Sequence, residues 1–192
     1  MNHYVDIHLR EDPEFAAHQL MEALYAKLHR ALVARAAQGA GGDLGVSFPG
    51  HKPGAQYLGT HLRLHGSAAS LSALLATDWL LGMRDHIDLS ATPKPVPPDA
   101  THRTVQRQQV DSNPERLRRR LLRRHPLTEQ EAQARIPDSA ACRLRLPFVQ
   151  LKSTSTGQTY KLFICHGSEQ IAPTLGGFNT YGLSQGATIP WF

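Results

Sequence analysis

Residues 112–125 run Ser112-Asn-Pro-Glu-Arg-Leu-Arg-Arg-Arg-Leu-Leu-Arg-Arg-His125. The spacing predicts a short helix. Ser112 and Glu115 stand at capping-box distance, and Pro114 falls in the first turn, where the lost N–H has no partner anyway. Pro126 disfavours continuation past His125. At about 100° per residue, Arg116, Arg119, Arg120, Arg123 and Arg124 share one arc of roughly 140°, with Leu117 and Leu121 on its flank. From 103 to 125 there are eight arginines against two acids, a net +6, while the whole chain carries +5. The basic character is therefore confined to this stretch. Guanidinium groups pair bidentately with phosphate oxygens or guanine edges. Like charges four apart destabilise a helix, so five on one face imply a polyanion, and nucleic acid is the natural one.

Other chemistry is limited by what is missing. No Asp/Glu cluster stands at the spacing of a two-metal nuclease. The two histidines at HxxxH spacing, His61 and His65, fall on an alternating strand and not on one helix face, and no CxxC appears, so a zinc site is not expected. The glycines at 39–42 lack the Lys-Ser/Thr end of a P-loop. What remains is histidine, hydroxyl groups and arginine. RNA brings its own nucleophile, the 2′-OH. An enzyme without metal or cofactor then needs to align that hydroxyl with a phosphate and accept its proton. Histidine, which ordinarily titrates near pH 6.5, suits the task and contributes about 10²–10⁴-fold. Composition alone does not choose among eleven histidines.

The elements that would position such groups can be read from periodicity. The chain has 192 residues, 41% of them hydrophobic, enough for one large domain or two small ones. Residues 4–10 alternate as a half-buried strand. Residues 16–35 carry Leu20, Leu24, Leu28 and Leu32 on one helical face, with Met21 and Ala31 beside them and His29 at the edge. Strands follow at 44–48 and 61–65. Ser67 caps a helix burying Leu71, Leu74 and Leu75 and ending near Trp79, and a fourth strand spans 83–89. The order β-α-β-β-α-β predicts an α+β protein with a ferredoxin-like N-terminal domain over 1–92. That fold suits RNA-binding modules, but the RNP1 pattern is absent. A proline-rich linker spans 93–100. The C-terminal domain, 101–192, is read as α/β. It holds a polar extended segment at 103–110 and the arginine helix, then a helix capped by Thr128 and Glu131. Strands at 148–153 and 160–166 follow, joined by a hairpin turn at Gly157. Two cysteines, Cys142 and Cys165, give no disulfide framework, so a cytoplasmic location is expected. No signal peptide or membrane span is expected.

Several motifs together resemble one family. They include His3-Tyr-x-Asp-Ile7, Lys27-Leu-His29-x-Ala-Leu-Val33, Gly45-Val-Ser-Phe-Pro49 and Ser112-Asn-Pro-Glu-Arg-Leu-Arg-Arg-Arg120. Leu146-Pro-Phe-Val149, Ser155-Thr-Gly-Gln158, Gly176-Gly-Phe178, Tyr181-Gly-Leu-Ser184 and Pro190-Trp-Phe192 continue the match to the end. The family is the CRISPR subtype I-F pre-crRNA endoribonuclease. The resemblance implies cutting of repeat transcripts at the 3′ base of a stem-loop, without metal. A 2′,3′-cyclic or 3′ phosphate results, and the enzyme stays on its product. It implies RNA and the other subunits of the surveillance complex as partners. Matched by position, His29 is the catalytic histidine, Ser153 holds the 2′-OH nucleotide and Tyr181 orients the histidine. Arg107 and Gln109 match a pair reading base edges at the foot of the stem; Arg with guanine and Gln with adenine are natural pairings. Arg116, Arg119, Arg120, Arg123 and Arg124 lie on the helix that enters the RNA groove. Ser155 matches a second hydroxyl near the cut. Tyr160 stands where the family often has Phe, and a tyrosine also stacks on a base. Asp111 is an acid where a basic or neutral residue is expected.

Two other readings fit the basic helix. A non-catalytic RNA hairpin-binding protein predicts that His29→Ala leaves RNA integrity unchanged. A double-stranded DNA binder predicts that a DNA hairpin competes as well as RNA. The joint presence of His29, Ser153 and Tyr181 favours the nuclease.

Overall fold

The computed structural model of the chain describes residues 1–109, 114–138, 144–153 and 156–192, and Arg116 by its backbone alone. Alternation makes the first strand, β1 (His3–Leu9), which buries Val5, Ile7 and Leu9. The four-residue leucine repeat makes α1 (Ala17–Ala37), burying Leu20, Leu24, Leu28 and Leu32 together with Met21 and Tyr25. Then come β2 (Gly45–Ser47), β3 (His61–Gly66) and α2 (Ala68–Leu75). The Ser67 hydroxyl accepts from the Ser70 N–H at 3.0 Å and starts α2 as expected. The helix stops before Trp79 because the Leu74 carbonyl accepts from both the amide and the hydroxyl of Thr77, which closes the last turn. A single 3-10 turn at Arg84–His86 replaces the first half of the expected fourth strand, and β4 (Ile87–Leu89) is the rest.

These strands form one antiparallel sheet in the order β2-β3-β1-β4. Ile7 pairs with Leu62 on one side and with Leu89 on the other. Within the proline-rich stretch, β5 (Lys94–Pro95) adds to the start of β1. The later elements are β6 (Thr101–Arg103), β7 (Val105–Gln108), α3 (Pro114–Arg124), α4 (Glu129–Arg135), β8 (Phe148–Lys152), β9 (Thr159–His166), β10 (Gly177–Phe178), β11 (Ser184–Gln185) and β12 (Ile189–Trp191). β7, β9 and β8 make a second sheet in that order, β12 pairs with β6, and β10 with β11. The whole is an α+β arrangement.

By internal contact the chain forms two compact units. One joins Met1–Arg107 with Leu146–Phe192; the other is Gln108–Arg145. In the first, α1 serves two sheets. Its leucine face meets β1, and its flank meets β8, where the Gln150 N–H donates to the Glu22 carboxylate at 3.0 Å. Val149, Leu151, Leu162 and Ile164 join the same core as Val5 and Leu28. An alternating strand is expected to leave its polar face wet, but β3 buries Arg63 and His65 as well. The reason is long-range. Arg63 lies between the Tyr4 and Phe192 rings, donates to the Phe192 carbonyl and pairs with Asp6. His65 Nε2 shares a 2.8 Å hydrogen bond with the Ser47 hydroxyl, and burial pushes its pKa down to about 3.

In the second unit α3 ends at Arg124, one residue before the expected stop. Ser112 and Asp111 lie outside the described residues, as does Cys142. Thr128 and Glu131 form the expected capping box, and α4 stops before Pro137. Arg118, on the back of the arginine arc, donates to the Ile136 carbonyl at 2.8 Å and pairs with Asp138. Arg118 thus ties α3 to the end of α4, while Arg119, Arg120, Arg123 and Arg124 stay exposed. Among the described residues no helix is long and apolar enough to cross a membrane.

Candidate active site

The site is built around a tight turn at residues 179–183. The Asn179 side-chain oxygen accepts from the amides of Tyr181 and Leu183, at 2.9 and 3.1 Å. Gly182 adopts φ +72°, and a Cβ there would come within 2.7 Å of a Val46 methyl. Any side chain at 182 would therefore be strained and would clash. The Gly182 carbonyl accepts from the Val46 N–H at 2.9 Å, which pins the turn to β2.

Two side chains one turn apart on α1 hold the same turn. The Tyr25 hydroxyl, fully buried, donates to the Tyr181 carbonyl at 2.8 Å. His29 Nδ1 meets the Thr180 carbonyl, also at 2.8 Å. A carbonyl only accepts, so Nδ1 carries the hydrogen. In the neutral ring this leaves the lone pair on Nε2. The Tyr181 ring stacks on the imidazole, with centroids 3.9 Å apart and planes within 9°. The Tyr181 hydroxyl pairs with that of Tyr160 at 2.8 Å. Burial and this hydrogen bond push the Tyr160 pKa up to about 12, so its phenol stays protonated at neutral pH.

His29, Ser153, Tyr160 and Tyr181 line one cavity of about 450 Å³. The structure thus brings together three residues read as catalytic and one read as RNA-binding. Ser153 follows β8, and its hydroxyl accepts from the Thr156 N–H at 3.2 Å. The hairpin closes with Ser153 N–H donating to the Gln158 carbonyl and Gly157 at φ +68°. Ser155 lies outside the described residues. The remaining polar lining is Arg30 and Lys152, both exposed cations, and no carboxylate lines this cavity among the described residues. Neither cation stands out by pattern, although Arg30 follows His29 and Lys152 precedes Ser153. Sequence reasoning misses Tyr25 and Thr180 too. A tyrosine four residues before a histidine on one helix is the available signal for Tyr25, and nothing marks a backbone carbonyl.

Arg107 is exposed, with its guanidinium carbon 6.0 Å from the Tyr181 ring centroid. Gln109, in the other unit, is exposed. On α3, Arg119 stands 3.9 Å from Glu115, and Arg120, Arg123 and Arg124 have no ion-pair partner among the described residues.

Asp6, His8 and His61 bring one ligand atom each within 4.8 Å of one another, which their separation in sequence hides. The Asp6 carboxylate is already taken. It accepts from His61 Nε2 and from Arg63 Nε, each at 2.6 Å. Burial alone would raise the Asp6 pKa, but these hydrogen bonds and the Arg63 charge hold it far below the usual carboxylate range. A metal ion here would have to displace a buried guanidinium, so the group is an ion-pair network.

The sequence profile of the family described as CRISPR-associated protein (Cas_Csy4) matches residues 4–192. The chain belongs to this family. The match includes every Cas_Csy4 element that builds the cavity: α1, β8, β9 and the 179–183 turn. A CRISPR-associated endonuclease Cas6/Csy4 of Pseudomonas aeruginosa (strain UCBPP-PA14) is 54% identical over 193 residues, covering both chains completely. A protein of the same name from Escherichia coli (strain UTI89 / UPEC) is 48% identical over 194 residues, again covering both completely. The Cas_Csy4 resemblance carried by the sequence motifs is thereby borne out.

Proposed function

We propose that this protein is an endoribonuclease that cuts CRISPR repeat transcripts at the 3′ base of a stem-loop, using the 2′-OH of the RNA as nucleophile and no metal. The observation that carries the reading is the His29 Nδ1–H bond to Thr180, which leaves the lone pair of the neutral ring on Nε2, in a cavity shared with Ser153. Membership of a family whose relatives are named endonucleases supports it.

In the reaction the 2′-oxygen bonds to phosphorus, and its proton passes to His29 Nε2. The bond from phosphorus to O5′ breaks, and O5′ departs with a proton from the imidazolium or water. The products are a 2′,3′-cyclic phosphate and a 5′-hydroxyl, and later hydrolysis of the ring gives a 3′ phosphate. Ser153 holds the nucleotide that bears the 2′-OH, and Ser155 is read as a second hydroxyl near the cut. The Tyr181 ring and the Thr180 carbonyl fix the plane of the imidazole, and alignment of this kind adds to the proton transfer.

Recognition is assigned to the arginines. Arg107 and Gln109 read base edges at the foot of the stem, Tyr160 offers a ring to a base, and Arg116, Arg119, Arg120, Arg123 and Arg124 grip phosphates. The antiparallel order β2-β3-β1-β4, with α1 and α2 as crossovers, supports a ferredoxin-like reading of the first sheet. Residence in the cytoplasm, on the product RNA and with other subunits of the surveillance complex, completes the proposal.

The test is a cleavage assay of wild type and His29→Ala on the host's own repeat hairpin, with binding measured in parallel. The proposal expects the variant to bind and not to cut. Normal cutting by His29→Ala removes His29 from the chemistry, and tight binding without cutting by the wild type favours a hairpin-binding module.

A further inference from the structure

Attack by a 2′-oxygen moves a singly charged phosphodiester toward a doubly charged, five-coordinate arrangement. Something must meet that charge. His29 is occupied with the proton. Tyr160, pushed up to about 12, stays a neutral phenol. The cavity holds two cations, Arg30 and Lys152, and no carboxylate among the described residues.

We propose that Arg30 and Lys152 contact the non-bridging oxygens of the scissile phosphate and stabilise the charge that builds there, which makes them catalytic residues beside His29 and Ser153. The proposal rests on the cleavage reading above.

Three observations carry it. First, the two cations come from different elements. Arg30 follows His29 on α1, and Lys152 ends β8 just before Ser153, so each is tied by one peptide bond to a residue assigned to the 2′-OH. All four residues line the same cavity. Second, neither has a hydrogen-bond or ion-pair partner among the described residues. Arg30 shares this lack of a carboxylate with Arg107, whose guanidinium carbon lies 6.0 Å from the Tyr181 ring centroid, but not with the other arginines of its unit. Arg10, Arg35, Arg63, Arg84 and Arg103 all lie within 4.0 Å of a carboxylate: those of Asp88, Asp43, Asp6, Asp78 and Glu169. Lys27 donates to the Leu81 carbonyl, and Lys161 lies over the Phe148 ring. Third, the cavity is concave and walled in part by Ala26, Val33 and Leu151. Low-dielectric walls around charge of one sign concentrate its field on an anion. Exposed arginines and lysines are usually just solvated. Here both border the one histidine read as a base.

The role differs from that of the arginines on α3. Those would bind the hairpin equally in the ground and transition states. Arg30 and Lys152 would act mainly once charge has built up, so their loss should appear in the cleavage rate and not in affinity.

The experiment measures single-turnover cleavage of the host's repeat hairpin. It also measures equilibrium binding of the same RNA with one 2′-deoxy at the cut. The variants are Arg30→Gln, Lys152→Gln, the double variant, Arg30→Lys and His29→Ala. Both residues are exposed, and unchanged melting temperatures check folding. Each Gln variant should cut about 10- to 100-fold more slowly and the double variant more slowly still, with affinity for the deoxy RNA within about threefold of wild type. Arg30→Lys should recover part of the rate. If both Gln variants cut within about threefold of wild type while His29→Ala is inactive, Arg30 and Lys152 have no catalytic role and the cleavage reading stands. Equal losses in rate and affinity would also overturn the proposal, by making the contacts ordinary binding. Failure of the wild type to cut would overturn this proposal and the cleavage reading together.

Discussion

The imidazole of His29 gives its Nδ1 hydrogen to the carbonyl of Thr180, 2.8 Å away, and the neighbouring Tyr181 ring lies flat against it. One backbone turn thus supplies both the hydrogen bond that sets the tautomer and the surface that sets the plane. The turn is itself fastened to α1 by the buried Tyr25 hydroxyl, four residues from His29. The geometry of the candidate site and the packing of the helix are joined at this point.

The stack gives a prediction for Tyr181. Tyr181→Phe keeps the ring and loses only the hydroxyl shared with Tyr160, so cleavage should fall by less than about fivefold. Tyr181→Ala removes the surface that holds the imidazole and should slow cleavage by about 10- to 100-fold with little change in RNA affinity. Single-turnover rates of the two variants check this; equal rates for both would refute an orienting ring.

The arginine arc predicts a different signature. Arg120→Ala and Arg123→Ala should each weaken hairpin binding, and each should reduce the slope of log affinity against log salt by about one unit if the contact is to phosphate. Arg118→Ala should leave that slope unchanged. Its guanidinium is engaged with the Ile136 carbonyl and Asp138, so its loss should lower the melting temperature instead.

How much of the structure is legible in the sequence depends on range. The leucine spacing of α1, the Ser67 and Thr128 caps and the Gly157 turn are local patterns, and each stands where the sequence put it. The buried polar face of β3 is not legible. Arg63 and His65 occupy the positions of an ordinary wet face, and what closes over Arg63 is Phe192, at the far end of the chain. Even the strand in the proline-rich stretch depends on a neighbour, since Lys94 and Pro95 find their partners in Tyr4 and His3. The site divides in the same way. His29, Ser153 and Tyr181 come from family motifs, and the structure places all three around one cavity. Arg30 and Lys152 look like any surface cations until the fold shows that they share that cavity.

Two histidines, the buried His65 and the half-buried His166, set a pH dependence of stability. His65 has a folded pKa lowered to about 3, and His166, also lowered by burial first, sits at about 4. Below the unfolded value near 6.5, the unfolded chain takes up protons that these folded sites refuse, so stability falls as pH drops. Between pH 7 and pH 5 His65 alone should account for about 2 kcal/mol. The paired carboxylate of Asp6 adds a further loss at lower pH, beginning as the pH falls through the ordinary carboxylate range and continuing below it. Urea unfolding at pH 7, 6 and 5 checks this. His65→Gln should flatten the trend whatever its effect on stability at pH 7, and an undiminished slope would show that His65 is not the source.

The central claim is that the RNA supplies its own nucleophile to a site that needs no metal. The direct measurement is cleavage of the host's repeat hairpin in excess EDTA, beside the same RNA carrying a single 2′-deoxy at the cut. The account predicts that the first RNA is cut, leaving a 2′,3′-cyclic phosphate, and that the second is bound and left whole. Cutting of the deoxy RNA, or loss of all cutting in EDTA with recovery on adding magnesium, would contradict it.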